Sequence, residues 1–328
     1  MAVIAVDLGG TKIATALLNE EGHIHHKDVA LIESRRGLEV GTLIIEQIQS
    51  LLAIGAKRKI TIKGIGVSVP GIFYSQSGRV WAPNIPGWDN YPLLDELSSV
   101  LESKGLRITV DSDRACYILG ETWLGSAKGC RNAIFIAVGT GIGAGIMVDG
   151  QILRGHRDIS GAIGWLALDR PFQKRYVSCG CFEYYASGEG IARMARSLLS
   201  DDAYASSSLQ RLAPETITAH NVFESYTEDD LLAIQVLNEC IEFWGMAAAN
   251  LVSLFNPEKI IFGGGVFGPA AQFLDRIREE ARRWAQPISI QQVSIEVSTL
   301  GSDAGILGAG NLAVRSLKNP SGGSPQNV

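Results

Sequence analysis

Val3-Ile4-Ala5-Val6-Asp7-Leu8-Gly9-Gly10-Thr11-Lys12-Ile13-Ala14-Thr15-Ala16-Leu17-Leu18 runs from one apolar stretch through a polar turn into a second apolar stretch. Two short apolar runs about a glycine turn spell adjacent strands. A carboxylate between them is half buried, and burying a charge is costly unless something pairs with it. Gly9, Gly10 and Thr11 offer backbone N–H groups that approach an anion closely, with Lys12 beside them. A carboxylate next to such a nest suggests a metal–nucleotide site. An ordinary hairpin with a polar turn fits the same residues, and this stretch alone does not separate the two.

The pattern returns in the middle of the chain. Ala133-Ile134-Phe135-Ile136-Ala137-Val138 reads as a buried strand, Gly139-Thr140-Gly141-Ile142-Gly143 as a glycine turn, and Ala144-Gly145-Ile146-Met147-Val148 as a second strand. Asp149-Gly150 is a type I′ hairpin signal. Two strand–turn–strand units in corresponding places predict a duplicated α/β architecture, with two glycine turns facing each other across a cleft to hold the phosphates of one nucleotide. Between the copies the pattern predicts a helix over about 41–56, a strand over 62–69, a loop opened by Pro70-Gly71, a helix over about 91–104, and a strand over 107–110. Beyond the second copy it predicts helices near 188–199 and 228–255, a strand at 259–262, a helix near 269–284, a strand at 294–298 and a small-residue helix over 304–317.

The 328 residues suffice for two domains with separate cores. Hydrophobic residues at 46% and charged residues at 19% give a globular balance. A net charge of −5 and the lack of a long basic stripe argue against nucleic acid as a partner. Lys57-Arg58-Lys59 belongs in a solvated turn, while Arg276, Arg278, Arg282 and Arg283, interleaved with Glu279 and Glu280, read as an exposed, internally paired helix face. No apolar stretch is expected to reach transmembrane length, and the chain opens into a strand without a signal pattern. With an odd number of cysteines, five, this predicts a cytoplasmic protein with no membrane partner. The Pro/Gly/Ser-rich stretch 318–328 is expected to be a disordered tail.

Gly263-Gly264-Gly265-Val266-Phe267-Gly268 matches the G-x-G-x-x-G dinucleotide pattern between a strand and a helix, but the acidic position that pattern requires falls inside a helix. A glycine turn that lets an adenosine lie flat against the backbone is the better reading. The middle turn is no Walker A loop, since no Gly-Lys-Ser/Thr follows and a strand comes next. Asp111-Ser112-Asp113 ends a strand and opens a helix. One of the three is expected to cap that helix, leaving the other two free, with Asp113 placed as a general base toward a hydroxyl.

These segments, together with Asn84-Ile85-Pro86-Gly87-Trp88 and Gly301-Ser302-Asp303-Ala304-Gly305, occur in an order that resembles the ROK family of bacterial sugar kinases and sugar-responsive repressors. The resemblance covers the chain to about Leu317. It implies the actin-like ATPase (ribonuclease H-like) fold, with two α/β domains and a nucleotide and sugar cleft between them. The domains are expected at 1–116, joined by a C-terminal helix at about 302–317, and at 117–301. Because the first glycine motif starts at Asp7, no room is expected for the N-terminal DNA-binding domain of the repressors, which favours the kinase branch. The resemblance implies ATP and Mg2+ as cofactors. Asp7, Gly9, Gly10, Thr11 and Lys12 would handle the metal and phosphates. Gly139, Thr140 and Gly141 would hold the β- and γ-phosphates, and Gly264 and Gly265 would lie near adenosine. Asp113 matches the family's catalytic base, Glu183 matches a sugar-binding glutamate, and Gly71, Asn84 and Ser112 would line the same pocket. It also implies a homodimer.

The chain departs from the family at its zinc site. A Gly-Glu-Ile-Gly-His run is here Gly161-Ala162-Ile163-Gly164-Trp165, and a three-cysteine loop is reduced to Ser178-Cys179-Gly180-Cys181. Two thiols without the histidine do not close a tetrahedral site, so no structural zinc is expected, with Cys179 and Cys181 serving as small packing residues. Ala162 in place of a glutamate, Trp165 in place of a histidine and Ser112 in place of an asparagine also remove polar partners for sugar hydroxyls. The expected function is ATP-dependent phosphorylation of a hexose or N-acetylhexosamine hydroxyl; the alternative is a sugar- or nucleotide-binding sensor that has lost catalysis.

Overall fold

The structure is a computed structural model that describes residues 1–101 and 105–318. The described residues divide into two units: those within 1–129, 152–160 and 299–318 form unit 1, and 130–151 and 161–298 form unit 2. The division at Gly129/Cys130 replaces the boundary expected at 116/117, which falls inside a helix. The expected tail lies outside the described residues except for Lys318, which ends a helix.

Unit 1 begins with β1 (Ala2–Leu8), β2 (Lys12–Asn19) and β3 (Ile24–Leu31), then α1 (Leu38–Lys57), β4 (Ile62–Val69), β5 (Ile72–Tyr74), β6 (Arg79–Trp81), α2 (Leu93–Leu101), β7 (Arg107–Ser112) and α3 (Asp113–Leu124). Unit 2 carries β8 (Ala133–Val138), β9 (Ile142–Val148), the first residue of β10 (Gln151–Ile152), α4 (Cys181–Ala186), α5 (Gly188–Leu198), α6 (Ala219–Tyr226), α7 (Leu231–Phe255), β11 (Lys259–Gly263), α8 (Leu274–Trp284), α9 (Pro287–Gln292) and β12 (Ser294–Val297). The last described element, α10 (Ala304–Lys318), belongs to unit 1.

The two sheets repeat one order. The first runs β3-β2-β1-β4-β7 and the second β10-β9-β8-β11-β12. In each, the strand before the glycine turn pairs antiparallel with the strand after it and parallel with a later strand on its other side. The duplication visible in the sequence is thus a duplication of topology. Asp149 and Gly150, with φ of 51° and 79°, make the β9–β10 turn with both central residues left-handed, as a type I′ turn requires.

Each unit has its own core. In unit 1, Ile4, Val6, Ile13 and Leu17 of the first hairpin pack with Ile44 and Ile48 of α1, Ile65 and Val67 of β4, and Trp88. In unit 2, Ile134, Ile136 and Phe262 of the sheet pack with Phe182 of α4 and Trp244 of α7. By length and mean hydropathy (1.3 and 1.2) α1 and α7 reach the level of a membrane span, contrary to expectation. Burial of Val40, Ile44 and Ile48 of α1, and of Leu237, Trp244 and Leu251 of α7, accounts for that apolarity. The loop opened by Pro70-Gly71 contains the β5–β6 hairpin, which the sequence did not signal. Trp88 closes it, stacked on Tyr91 at 4.3 Å and donating from Nε1 to the Gly37 carbonyl at 3.0 Å.

Candidate active site

In unit 1 the candidate residues collect at the C-terminal edge of the parallel strands, where open α/β sheets place ligands. Asp7 of β1 pairs in register with Ser68 of β4, and Ser68 with Asp111 of β7. In the turn after β1 the Gly9 N–H donates to the Lys12 carbonyl at 2.9 Å, while Thr11 and Lys12 are exposed. Asn84 sits beside this turn: a Cβ built on Gly10 would lie 3.6 Å from the Asn84 Cβ. Asp7 itself packs against the start of α10, where Gly305 leaves the space; a Cβ there would lie 2.3 Å from Asp7 Oδ2. Burial pushes the Asp7 carboxyl above its ordinary range, against the Ser68 hydroxyl and the charges of Lys12 and Lys27. Lys27 forms an ion pair with Asp303.

The β7–α3 junction resolves the three-residue motif. Ser112 is the N-cap, its Oγ accepting the Ala115 N–H at 3.4 Å. Asp113 is the first helical residue, half-buried, with Oδ1 accepting the Arg114 N–H at 2.7 Å. Burial raises its pKa to about 6; Arg114 opposes that rise and the nearby Asp7 charge adds to it. Arg114 in turn donates to the Gly71 carbonyl at 3.2 Å, tying the Pro70-Gly71 loop to the same junction. Asp111 corrects the expectation that two of the three stand free: it is buried and ion-paired with Arg154 at 2.6 Å.

Unit 2 holds the second group. The Gly139 N–H donates to the Gly141 carbonyl at 2.9 Å, closing the turn, and the Gly188 N–H at the start of α5 donates to the Gly139 carbonyl at 2.8 Å. Thr140 is exposed at the tip. Gly264 follows β11 with φ of 90°, and a Cβ there would lie 2.5 Å from the Val138 carbonyl, so the Gly264-Gly265 turn stands against the strand that leads into Gly139. Glu183 of α4 accepts the Ile142 N–H on Oε2 at 2.6 Å, and a Cβ on Gly141 would strike that same oxygen at 2.7 Å. Burial raises the Glu183 pKa, opposed by the Ile142 N–H and by Arg193. One carboxylate oxygen therefore braces the glycine turn. Gly164, within the run Ala162–Trp165, lies against Glu183, where a Cβ would stand 3.0 Å from Glu183 Oε2, and Trp165 is 57% exposed.

The residues at the family's metal position do not fit zinc. Cys181 is buried with its thiol pKa raised, and Cys179 contacts Ser178 and its own neighbour's carbonyl. Polar contacts among Asp169, Tyr176, Tyr185 and Arg175 occupy the neighbourhood: Tyr176 donates to Asp169 at 2.7 Å and Arg175 to the Tyr185 hydroxyl at 2.7 Å. Sequence reasoning missed Ser68, Lys27, Arg114 and Arg154. Only Ser68 left a trace, as a lone hydroxyl in the apolar run Ile65–Val69.

A sheet of order 3-2-1-4-5 occurring twice, each with a glycine turn between its first two strands, defines the actin-like ATPase fold. The ROK family profile matches residues 3–316, and the chain belongs to the ROK family. It is 33% identical over 312 residues to the glucokinase of Halalkalibacterium halodurans, covering 94% of this chain and 93% of that enzyme. Against the glucokinase of Thermotoga maritima the identity is 30%, over 95% of this chain and 97% of the relative. The crystal structure of a ROK glucokinase from Streptomyces griseus with glucose and AMPPNP superposes with a TM-score of 0.74 at 28% identity, covering 96% of this chain and 100% of that one. These relatives support phosphorylation of a sugar as the general activity.

Proposed function

We propose that this protein transfers the γ-phosphoryl group of ATP to a hydroxyl of a hexose or N-acetylhexosamine, with Asp113 as general base. The observation that carries the reading is the Asp113 carboxyl at the strand–helix junction, with a pKa of about 6. That value leaves it ionised at neutral pH and more basic than a free carboxylate, as a base toward an alcohol requires. In the step, the sugar O–H proton passes to Asp113 as the hydroxyl oxygen bonds to the γ-phosphorus. The bond from that phosphorus to the β,γ-bridging oxygen breaks, and ADP leaves with the bonding electrons. Phosphoryl transfer asks mainly for positioning and charge neutralisation. The Gly139-Thr140-Gly141 and Gly9-Gly10-Thr11-Lys12 turns would supply N–H donors and a cation to the phosphates, and Gly264-Gly265 a flat backbone for adenosine.

Mg2+ accompanying the nucleotide would supply further neutralisation of phosphate charge. The Asp7 carboxylate fits that ion: burial destabilises its charged form, and a cation beside it would offset that cost. Gly71, Asn84, Ser112 and Glu183 are proposed to contact the sugar, with the exposed Trp165 indole offering an apolar face in place of lost polar partners. A coupled ADP-release screen over hexoses and N-acetylhexosamines tests the reading, with Asp113→Asn as the control. Sugar-stimulated release that the control lacks is the expected result. No sugar raising release above the control would overturn it in favour of a non-catalytic sugar or nucleotide sensor.

A further inference from the structure

Residues 152–160 follow the second glycine motif in sequence but are grouped with unit 1. They form a short closed loop in which the Ser160 N–H donates to the Arg154 carbonyl at 3.0 Å around a turn at His156–Asp158. Gly155, Arg157 and Asp158 have φ of 66°, 57° and 62°. For the arginine and the aspartate this is a strained conformation, which persists only where surrounding contacts over-determine it. Two sets of contacts do so. The Arg154 guanidinium forks onto Asp111, Nη1 to Oδ1 at 2.9 Å and Nη2 to Oδ2 at 2.6 Å. Asp158 Oδ2 accepts the N–H and the hydroxyl of Ser75 at 2.9 and 3.0 Å, and its Oδ1 lies 4.0 Å from Arg154 Nη1. The Asp111 and Asp158 side chains are only 3% and 8% exposed, so one guanidinium makes the burial of both carboxylates tolerable.

Both anchors adjoin residues proposed to act on substrate. Asp111 lies two residues before Asp113, and its Oδ1 also accepts the Ser112 N–H at 2.8 Å. Ser75 follows β5, which begins directly after Gly71. We infer that Arg154 is a positioning residue for phosphoryl transfer. By gripping Asp111 and, through Asp158, the Ser75 end of β5, it fixes the Asp113 carboxylate relative to the Gly71 wall of the sugar subsite. This rests on the reading of Asp113 as the base. The rigid planar fork is what fixes an orientation; a lysine at the same place would supply charge without it.

The test uses the full chain with MgATP and whichever of glucose, mannose, N-acetylglucosamine or N-acetylmannosamine gives the fastest ADP release. Arg154→Met is expected to lower kcat by about 100-fold, the scale of a misplaced catalytic group, with the KM for ATP within about twofold. Its Tm also falls, because Asp111 and Asp158 are left as buried charges without their cation. Arg154→Met combined with Asp111→Asn removes one of those two charges, so Tm recovers in part while kcat stays low. Arg154→Lys holds Tm near that of the parent and loses about tenfold in kcat, the fork being absent. Recovery of kcat along with Tm in the double variant, or an unchanged kcat in Arg154→Met, would show a brace for the fold alone and overturn the inference. Asp113→Asn separates the two levels. If it is inactive while the Arg154 variants turn over normally, only the positioning role fails. If it keeps full turnover, or if none of the four sugars stimulates ADP release, the base reading fails and the positioning role falls with it.

Discussion

At the residue scale, Asp113 sets function against stability. Its pKa is raised to about 6 chiefly by burial, whereas an unfolded chain gives an aspartate its ordinary value near 3.9. A raised folded pKa means that the native state holds the proton more tightly than the unfolded state does. The associated stability is fully present below about pH 4 and is lost as pH rises through about 6. A rise of that size corresponds to about 3 kcal/mol at most, and partial solvent access reduces it. Asp113→Asn is therefore expected to abolish turnover and yet raise stability by about 1–2 kcal/mol at pH 8, the difference vanishing near pH 4, as read from urea denaturation at the two pH values. A variant less stable than the parent at pH 8 would refute the assignment of the raised pKa to burial. The same value sets the acid limb of catalysis: kcat/KM should fall about tenfold per pH unit below about pH 6. Trp165 gives the opposite pattern. Trp165 is 57% exposed, so Trp165→Ala should change stability by less than about 0.5 kcal/mol and act only on the sugar KM. An unaltered sugar KM, with Tm also unaltered, would remove Trp165 from the sugar side.

At the scale of elements, the placement of Asp113 depends on a seam of glycines between α3 and α10. A Cβ on Gly308 would lie 1.8 Å from the Cys116 carbonyl oxygen, and one on Gly120 2.6 Å from that of Ala304. Asn311 seals the seam, donating from Nδ2 to the Leu119 carbonyl at 2.8 Å. Both obstacles are backbone, so neither yields by a rotamer change and a whole helix must shift. Gly308→Ala is expected to cost about 3 kcal/mol in urea denaturation, whereas Gly268→Ala, whose Cβ meets nothing closer than 3.6 Å, should fall within about 0.5 kcal/mol of the parent. Equal midpoints for the two variants would show that α3 and α10 do not pack this closely. The helices themselves were legible from apolar periodicity, because 3.6-residue patterning records which face is buried. Their seam was not, since Gly120 and Gly308 are far apart in sequence and a close approach leaves no local signal. The β5–β6 hairpin escaped for a related reason: three-residue strands are too short for alternation to stand out.

At the scale of the whole molecule, the duplicated strand–turn–strand pattern made the fold legible. Each copy puts two apolar runs around a glycine turn, and both sheets then take one strand order. The places of the two glycine turns between antiparallel strands, and of Asp113 where a strand meets a helix, were legible too, because tight turns and helix starts impose residue types. Membership of 152–160 in unit 1 was not legible, since it depends on Arg154 reaching Asp111, an ion pair across 43 positions. Nor was the engagement of Glu183 with Ile142, 41 positions away. The division into units carries a thermodynamic consequence. The two buried clusters share no residue, and each contains one fully buried tryptophan, Trp88 in unit 1 and Trp244 in unit 2. Chains of this size with separate cores depart from all-or-none unfolding. Trp88→Phe removes the fully buried indole of unit 1 and Trp244→Phe that of unit 2, so the emission each variant loses relative to the parent reports on one core, while far-ultraviolet circular dichroism follows both. Urea denaturation of the two variants is expected to give fluorescence midpoints that differ from each other, with the dichroism curve of each variant spanning both. Coincident midpoints by both probes in both variants would show a single cooperative unit, in which the two cores unfold together despite sharing no side chain.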